Sequence, residues 1–451
     1  MQTVLIAIVA FFPMLLILVV VHELGHFMTA RAFGIKVLEF GIGYPPRLFG
    51  FYTGKTRVML HQRTRFINLS GASDLRPGQF VKVTSFEDTD GALAAWSVEA
   101  PTRKSLFFRR RSGEGSSHNP PIDSAPAHEG ALSHEGKVRA VTGDSFILAD
   151  MLYSVNLTPL GGFVRLSGEN NPAVPRSLAS KGTGTRFLVL VAGPLMNAIL
   201  PIALFSIMFM VPHSVTAGDV VVKGVAPDSP AAAAGVREED IIMEAGGHRI
   251  ENPSDLTRVI NLNVGSDIEW RINRGGREQV VHLSPRLKQP EGQGPTGVHI
   301  GVTNTREETR ADPPWVAIPQ GVTNTGEILV LLKREIATWI AGGRAPELSG
   351  PIGIAQVTGE VTEQGGFSGW LVLVILFSIN LAILNILPIP MLDGGRLVFV
   401  VLEWLRRGKR VPPDKEGLVH LIGFVVLIGF IVLISINDIN RLLHGQHMLG
   451  G

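Results

Sequence analysis

Apolar residues gather in four long runs: Val4–Val21, Phe187–Val211, Trp370–Leu387 and Leu418–Ile436. Each is long enough to cross a bilayer as a helix, which takes roughly 20 residues. The first run resembles a signal peptide in position only. It has no basic leader and no small-residue cleavage site, so it reads as a retained helix. Between the runs the pattern is that of soluble chain. In Arg31–Arg186, short strands are expected at Val58–Leu69 and Phe80–Thr84, and again at Val138–Val141 and Ser145–Met151 around a Thr142-Gly143-Asp144 turn. Ser112–Gly136 is rich in Ser, Pro, Gly and His, and is expected to be a disordered insert. Asn156–Leu166 is apolar and holds a Gly161-Gly162 turn close to the second run, as expected of a segment dipping into the membrane surface.

A second soluble stretch, Asp219–Arg286, reads as a compact domain. Strands are expected at Val220–Val225 and Asp240–Glu244, with a short helix at Ala231–Ala234 ended by Gly235. Ser254–Leu262 reads as an amphipathic helix capped by its serine. Ile268–Asn273 and Gln279–Leu283 flank Gly275-Gly276 as a hairpin. A Pro/Gly-rich linker follows, then Glu327–Ala341, whose apolar spacing predicts a helix lying on the membrane. The division expected is 1–30, 186–212, 368–396 and 418–451 as membrane helices, the last two carrying a motif and a tail. A loop at 31–185, a domain at 213–290, a linker with its helix at 291–367 and a basic loop at 397–417 lie between them.

Composition agrees with apolar spans joined by soluble segments: 45% hydrophobic and 18% charged residues among 451. A net charge of +2 gives no ground for a nucleic-acid partner. Cysteine is absent, so a metal site must use His, Asp or Glu. Basic residues flank the first and third loops, with Arg406, Arg407, Lys409, Arg410 and Lys415 crowding the latter. The positive-inside rule makes these loops cytoplasmic and puts both termini and the middle domain outside.

The chemistry sits where the first run ends, at His22-Glu23-Leu24-Gly25-His26. Residues four apart share a helix face, so His22 and His26 can address one zinc ion, with Glu23 beside them as a base. A charged side chain in an apolar helix costs roughly 2.5–3.5 kcal/mol on insertion scales. A chance surface match does not explain that cost, whereas zinc binding, worth roughly 10–16 kcal/mol in structural sites, does. The third run closes on Asn385-Ile386-Leu387-Pro388-Ile389-Pro390-Met391-Leu392-Asp393-Gly394-Gly395. Asp393 is a candidate third ligand; the alternative is that it only caps the next helix.

HELGH together with NILPIPMLDGG resembles the site-2 protease family of intramembrane zinc metalloproteases, in particular its bacterial branch that regulates sigma-E. Leu160–Val164, Ser167–Glu169, Gly193-Pro194 with Asn197, and Gly350–Ile354 also match the family, as does one PDZ-like domain between the second and third runs. The resemblance implies a polytopic α-helical membrane protein of about four transmembrane helices. It adds a β-rich cytoplasmic insert and an inserted PDZ-like α+β domain. It further implies Zn2+ at His22, His26 and Asp393, Glu23 as catalytic base, and substrate contacts at Asn380, Asn385, Pro388 and Pro390. The edge of the hairpin at Gly161 and Gly162 is expected to pair with an unwound substrate strand; a plain turn is the alternative. The protein is then expected in the bacterial inner membrane, embedded in the lipid bilayer with its active site toward the cytoplasm. There it cleaves single-span membrane proteins such as anti-sigma factors, and remnant signal peptides. A peptide C-terminus is the expected partner of the PDZ-like domain. A non-catalytic scaffold presenting that domain is the competing reading, against which Glu23 argues, and a metal transporter is a third. The stretch at about 72–150 is longer than the family pattern, and its His118, His128 and His134 are expected to be solvated rather than a second metal site.

Overall fold

The computed structural model describes residues 2–88, 91–101, 130–169, 171–287, 290, 293–340 and 349–444. The chain forms two compact units, Met1–Pro201 with Leu348–Gly451, and Ile202–Glu347.

In the first unit, α1 (Gln2–Ala32) carries the apolar run and the HELGH sequence without a break. It ends where Gly34 takes φ +67, with Ile35 N–H bonded to Ala30 O and Gly34 N–H to Arg31 O. That Schellman closure turns the chain sharply and buries Ile35. Two long strands follow, β1 (Val37–Thr53) and, much later, β8 (Met151–Leu166). Val37–Ile42 pairs with Gly162–Leu166 on one side and Leu152–Val155 on the other, while Arg47–Thr53 pairs with Met151–Asn156. Each long strand therefore folds back, giving four runs with 162–166 at one edge; the outer pairings are antiparallel, whereas Glu39–Ile42 and Leu152–Val155 run side by side in the same direction. Phe27 and Ala30 of α1 pack with Val37, Phe40, Met151 and Leu166 of this sheet.

Between β1 and β8 lies a second sheet: β2 (Thr56–Met59), β3 (Arg65–Ile67), β4 (Phe80–Glu87), β5 (Leu93–Glu99), β6 (Leu132–Thr142) and β7 (Ser145–Ala149). The order is β2-β7-β6-β4-β5-β3, and β2 also pairs in parallel with β5. Five strands thus close into a barrel around Val58, Val81, Val83, Val98, Phe146 and Leu148, a closure that removes sheet edges. The expected disordered insert is corrected at its end, since Leu132–Gly136 belongs to β6. Residues 112–129 of it, with His118 and His128, lie outside the described residues.

His134 is also not solvated as expected; it is 3% exposed. Its Nδ1–H donates to Asp150 Oδ2 at 2.7 Å, and its Nε2 accepts from Ser85 Oγ at 2.9 Å. Asp150 takes two more bonds, from Thr56 Oγ1 at 2.8 Å and Lys36 Nζ at 2.5 Å. Burial alone would raise the Asp150 carboxyl, but the His134 hydrogen bond and the Lys36 charge hold it below its ordinary value. A depressed carboxyl stabilises the fold above its unfolded pKa, so this contribution is complete at neutral pH and lost only below about pH 4. Asp150→Ala leaves Lys36 buried without its counter-charge and is expected to destabilise the protein by about 3–5 kcal/mol. A thermal unfolding midpoint equal to that of the wild type would contradict this role.

The chain then enters α2 (Thr183–Met210), the second apolar helix. The second unit holds β9 (His213–Val225), α3 (Pro230–Ala233), β10 (Ile241–Ala245), β11 (His248–Arg249) and α4 (Pro253–Leu262). After these come β12 (Ile268–Arg274), β13 (Arg277–Leu283), β14 (Val298–Arg310) and α5 (Pro314–Ile340). Its sheet runs β13-β12-β10-β9-β14, with β11 on β10. Leu256, Val259 and Ile260 of α4 are buried with Val220, Val222, Ile242, Trp270 and Ile272. The cap of α4 is Asn252, whose side chain accepts from Asp255 N–H at 2.9 Å, with Pro253 first in the helix. Ser254, the expected cap, lies one residue inside. Gly275 and Gly276 make the β12–β13 turn at φ +56 and +83, as a type I′ turn requires. β14 runs through the expected linker: its polar second half, Thr303–Arg310, carries no strand signal, yet it pairs along β9.

Returning to the first unit, α6 (Pro351–Ile386) breaks at Gly366 (φ 58, ψ −147), which leaves the expected third span as the second of two helices. A non-helical turn leads to α7 (Asp393–Leu405), and α8 (Pro413–Leu443) closes the fold. Among the described residues four helices are long and apolar enough to cross a membrane: Leu5–Ala32, Thr183–Met210, Pro351–Ile386 and Pro413–Arg441.

Candidate active site

One turn of α1 separates His22 from His26, and their rings meet edge-on with centroids 4.9 Å apart. His26 Nδ1–H donates to the Val189 carbonyl of α2 at 2.7 Å. That bond fixes the ring proton on Nδ1 and leaves the Nε2 lone pair free. His22 Nδ1 faces the side chain of Asn197, 3.4 Å from its nitrogen, while Asn197 Oδ1 is buried without a partner. The rotated amide presents that oxygen to the His22 Nδ1–H and frees Nε2 in the same way. Ser378 of α6 ties the same turn of α2 through a 2.7 Å bond to the Asn197 carbonyl.

Close helix approach is what allows this. A Cβ on Gly25 would sit 2.2 Å from the Ala192 carbonyl oxygen. A Cβ on Gly193 would stand 2.4 Å from His26 Nε2 and 2.7 Å from His22 Nε2. Two glycines facing each other let α1 and α2 cross at backbone contact, the packing favoured by small residues between membrane helices.

The third group arrives from the chain's other end. Leu387–Leu392 doubles back so tightly that a Cβ on Gly394 would lie 1.9 Å from Leu387 O, and one on Gly395 2.5 Å from Ile389 O. Pro388 and Pro390 have no N–H to leave unpaired in this turn. Asp393 opens α7 with Leu392 before it and no side-chain cap, so capping is not its task. Its Oδ2 lies 2.9 Å from His22 Nε2 and 3.3 Å from His26 Nε2; the two imidazole nitrogens are 3.2 Å apart. One donor atom from each of the three residues lies within 4.8 Å of the others.

Tetrahedral zinc with ligands at about 2.0–2.2 Å holds its donors roughly 3.3 Å apart, so this nitrogen–oxygen triangle has the right size and chemistry and leaves a fourth position open. Glu23 comes with the same helix turn, and its Oε2 accepts from Val164 N–H at 3.0 Å. Val164 belongs to the edge run 162–166, so the sheet's edge lies along α1 at the metal-site turn. Gly162 is the point of approach: its nearest neighbours would be Gly41 O, Glu23 Cγ and Val20 Cγ2. Gly161 has φ +123, as the turn into that edge requires. Asn380 is half-buried and Asn385 buried on α6, and Pro390 packs against Gly423 of α8.

The sequence reading assigned no role to Val189, Asn197 or Gly193. Val189 acts through its carbonyl, which no side-chain pattern marks. Gly193-Pro194 and Asn197 stand in the sequence only as matches to the family pattern, with nothing to say what they touch.

Two imidazoles and a carboxylate thus gather around one point at the end of an apolar helix, with a second carboxylate alongside, a donor set suited to a metal-dependent peptidase in a membrane. The model of peptidase family M50 matches residues 10–95 and 141–430, and the chain belongs to that family. It is 30% identical to a zinc metalloprotease RasP of Oceanobacillus iheyensis, over 96% of this chain and 99% of that one. It is 26% identical to the regulator of sigma-W protease RasP of Bacillus subtilis (96% and 98%) and to the probable protease eep of Enterococcus faecalis (94% and 96%). Among solved structures it is similar to the PDZ domain of an SdrC-like protein of Listeria monocytogenes, at 22% identity over 19% of this chain and 90% of that one, with a TM-score of 0.17. The protein is a membrane zinc metalloprotease.

Proposed function

We propose that His22, His26 and Asp393 hold the zinc ion, and that Glu23 is the general base of peptide hydrolysis within the membrane. The observation that carries this is the meeting of the three donor atoms within 4.8 Å, from helices far apart in sequence. Zinc bound there supplies Lewis acidity, polarising a carbonyl and making water more acidic.

The chain's own residues do the rest. Glu23 takes the proton of the attacking water on its carboxylate and returns it to the leaving amine. Val189 and Asn197 keep the imidazole tautomers that leave both Nε2 atoms unprotonated. A transmembrane substrate hides its carbonyls in helical hydrogen bonds and must unwind to be cut. The edge run 162–166 offers such a strand a place to pair, with Gly161 and Gly162 keeping the approach to Glu23 open. Asn380, Asn385, Pro388 and Pro390 line the path of the α6 end and its turn, and would help hold the unwound segment.

The substrates are single-span membrane proteins. The sigma-W regulation for which the Bacillus subtilis relative is named supports an anti-sigma-type regulator, and remnant signal peptides share the needed form. The positive-inside pattern supports a multi-pass protein of the bacterial inner membrane, with the site toward the cytoplasm. The same pattern supports an outside location for the domain at 213–290, where a PDZ-like role would be capture of a peptide C-terminus.

Asp393→Ala tests the site directly. Zinc content and cleavage of a single-span reporter in proteoliposomes should both be lost; a variant that keeps its ion and its turnover would overturn the ligand assignment.

A further inference from the structure

α8 is held by unusual means. None of its most apolar 18-residue window is buried, so side-chain packing does little to fix it. Two of its polar side chains instead reach backbone N–H groups of the neighbouring segments. Near its end, Asp438 is 1% exposed and its Oδ2 accepts from Gly350 N–H and Gly353 N–H, both at 2.9 Å, capping α6. Near its start, His420 Nδ1 accepts from Met391 N–H at 2.9 Å.

Met391 lies in the turn between α6 and α7, two residues before Asp393. It is a non-glycine residue at φ +77, a sparsely populated conformation that persists only where the surroundings enforce it. Its N–H has no partner within either helix. One turn further along α8, Gly423 lies flush on Pro390, where an added Cβ would be 2.2 Å from Pro390 Cβ. The ring of Phe399 in α7 also meets the His420 ring at 5.6 Å between centroids.

The imidazole is not there for its other nitrogen. Accepting at Nδ1 places the ring proton on Nε2, and Nε2 is buried with no hydrogen-bond partner. Glu416 Oε1 stands 3.9 Å away, beyond hydrogen-bonding reach. A leucine would avoid that unmet donor, and buried polar atoms without partners are rare. What the histidine supplies is the acceptor facing Met391.

We propose that His420 is a positioning residue: by accepting the Met391 N–H it fixes the left-handed turn that aims Asp393 at His22 and His26. This rests on the assignment of Asp393 as a ligand. Without the bond the turn relaxes, the carboxylate is no longer pre-placed, and the ion is held less tightly.

The experiment uses the full-length protein in proteoliposomes, reading zinc retention against a competing chelator together with kcat and KM for a single-span reporter. His420→Leu and His420→Ala should weaken zinc retention by about 10–100-fold, the range for lost outer partners of metal ligands. kcat should fall in step with the loss of zinc. His420→Asn should restore most of both, because its Oδ1 stands the same number of bonds from the backbone as Nδ1. His420→Gln should not, because its oxygen falls where Nε2 was. Wild-type zinc retention in His420→Leu would overturn the proposal. So would equal behaviour of the Asn and Gln variants, which decides the matter even if the apolar variants fail to fold. Asp393→Ala is the control: if it kept its zinc the ligand assignment itself would fail, whereas if it lost zinc while every His420 variant kept it, only the role of His420 would.

Discussion

Gly193→Ala is expected to strip the protein of zinc and abolish cleavage while leaving the membrane helices in place. One methyl group suffices because of where it lands, 2.4 Å from His26 Nε2 and 2.7 Å from His22 Nε2. Carbon and nitrogen do not approach so closely without a bond, so either the rings or the backbone must shift. The rings are held, His26 by the Val189 carbonyl and His22 against Asn197. The backbone has no slack either, because α1 already meets α2 at Gly25 and Ala192. The added methyl also fills space on the side of the lone pairs that an ion must share. The loss of zinc affinity should exceed the roughly 100-fold at the upper end for a lost outer partner of a metal ligand. Metal analysis of the purified variant checks this, and a wild-type zinc content would show that the helices can separate after all.

Glu23→Gln separates binding from chemistry in the opposite way. The amide oxygen still accepts the Val164 N–H, so the edge run stays against α1, and none of the three donor atoms changes. Zinc should therefore be retained in full. The amide cannot take a proton, and general-base catalysis is worth about 10²–10⁴-fold, so cleavage should drop by at least that range. Zinc loss in this variant would mean that Glu23 supports the ligands rather than the reaction. Full activity would remove it from the mechanism.

The two motifs of the proposed metal site stand out in the sequence because each concentrates polar residues in a setting that penalises them. His22, Glu23 and His26 interrupt an apolar helix, and Asp393 follows a proline-broken one. The β12–β13 hairpin was legible because Gly275-Gly276 admits few other conformations. What escaped depended on distant partners. β14 is a strand because β9 lies beside it, and Thr303–Arg310 has no alternation of its own. The barrel of β2–β7 closes through a parallel pairing of β2 with β5, which no local pattern announces. His134 sits among Ser and Gly residues in sequence, and only the fold brings Ser85 and Asp150 to its two nitrogens. Asn252 displaced Ser254 as the cap of α4 because Pro253 fits the first helical position better than a place before it.

The barrel leaves the active-site sheet at Thr53 and returns at Met151, and those two residues are themselves cross-strand neighbours. Its ends are thus already joined by the sheet it interrupts, so no loop need be closed to accommodate it. It hangs from the protease as a cassette. An excision that keeps Asp150 with Lys36 and bridges the gap with a tight turn would leave every residue of the hydrolytic centre where it stands.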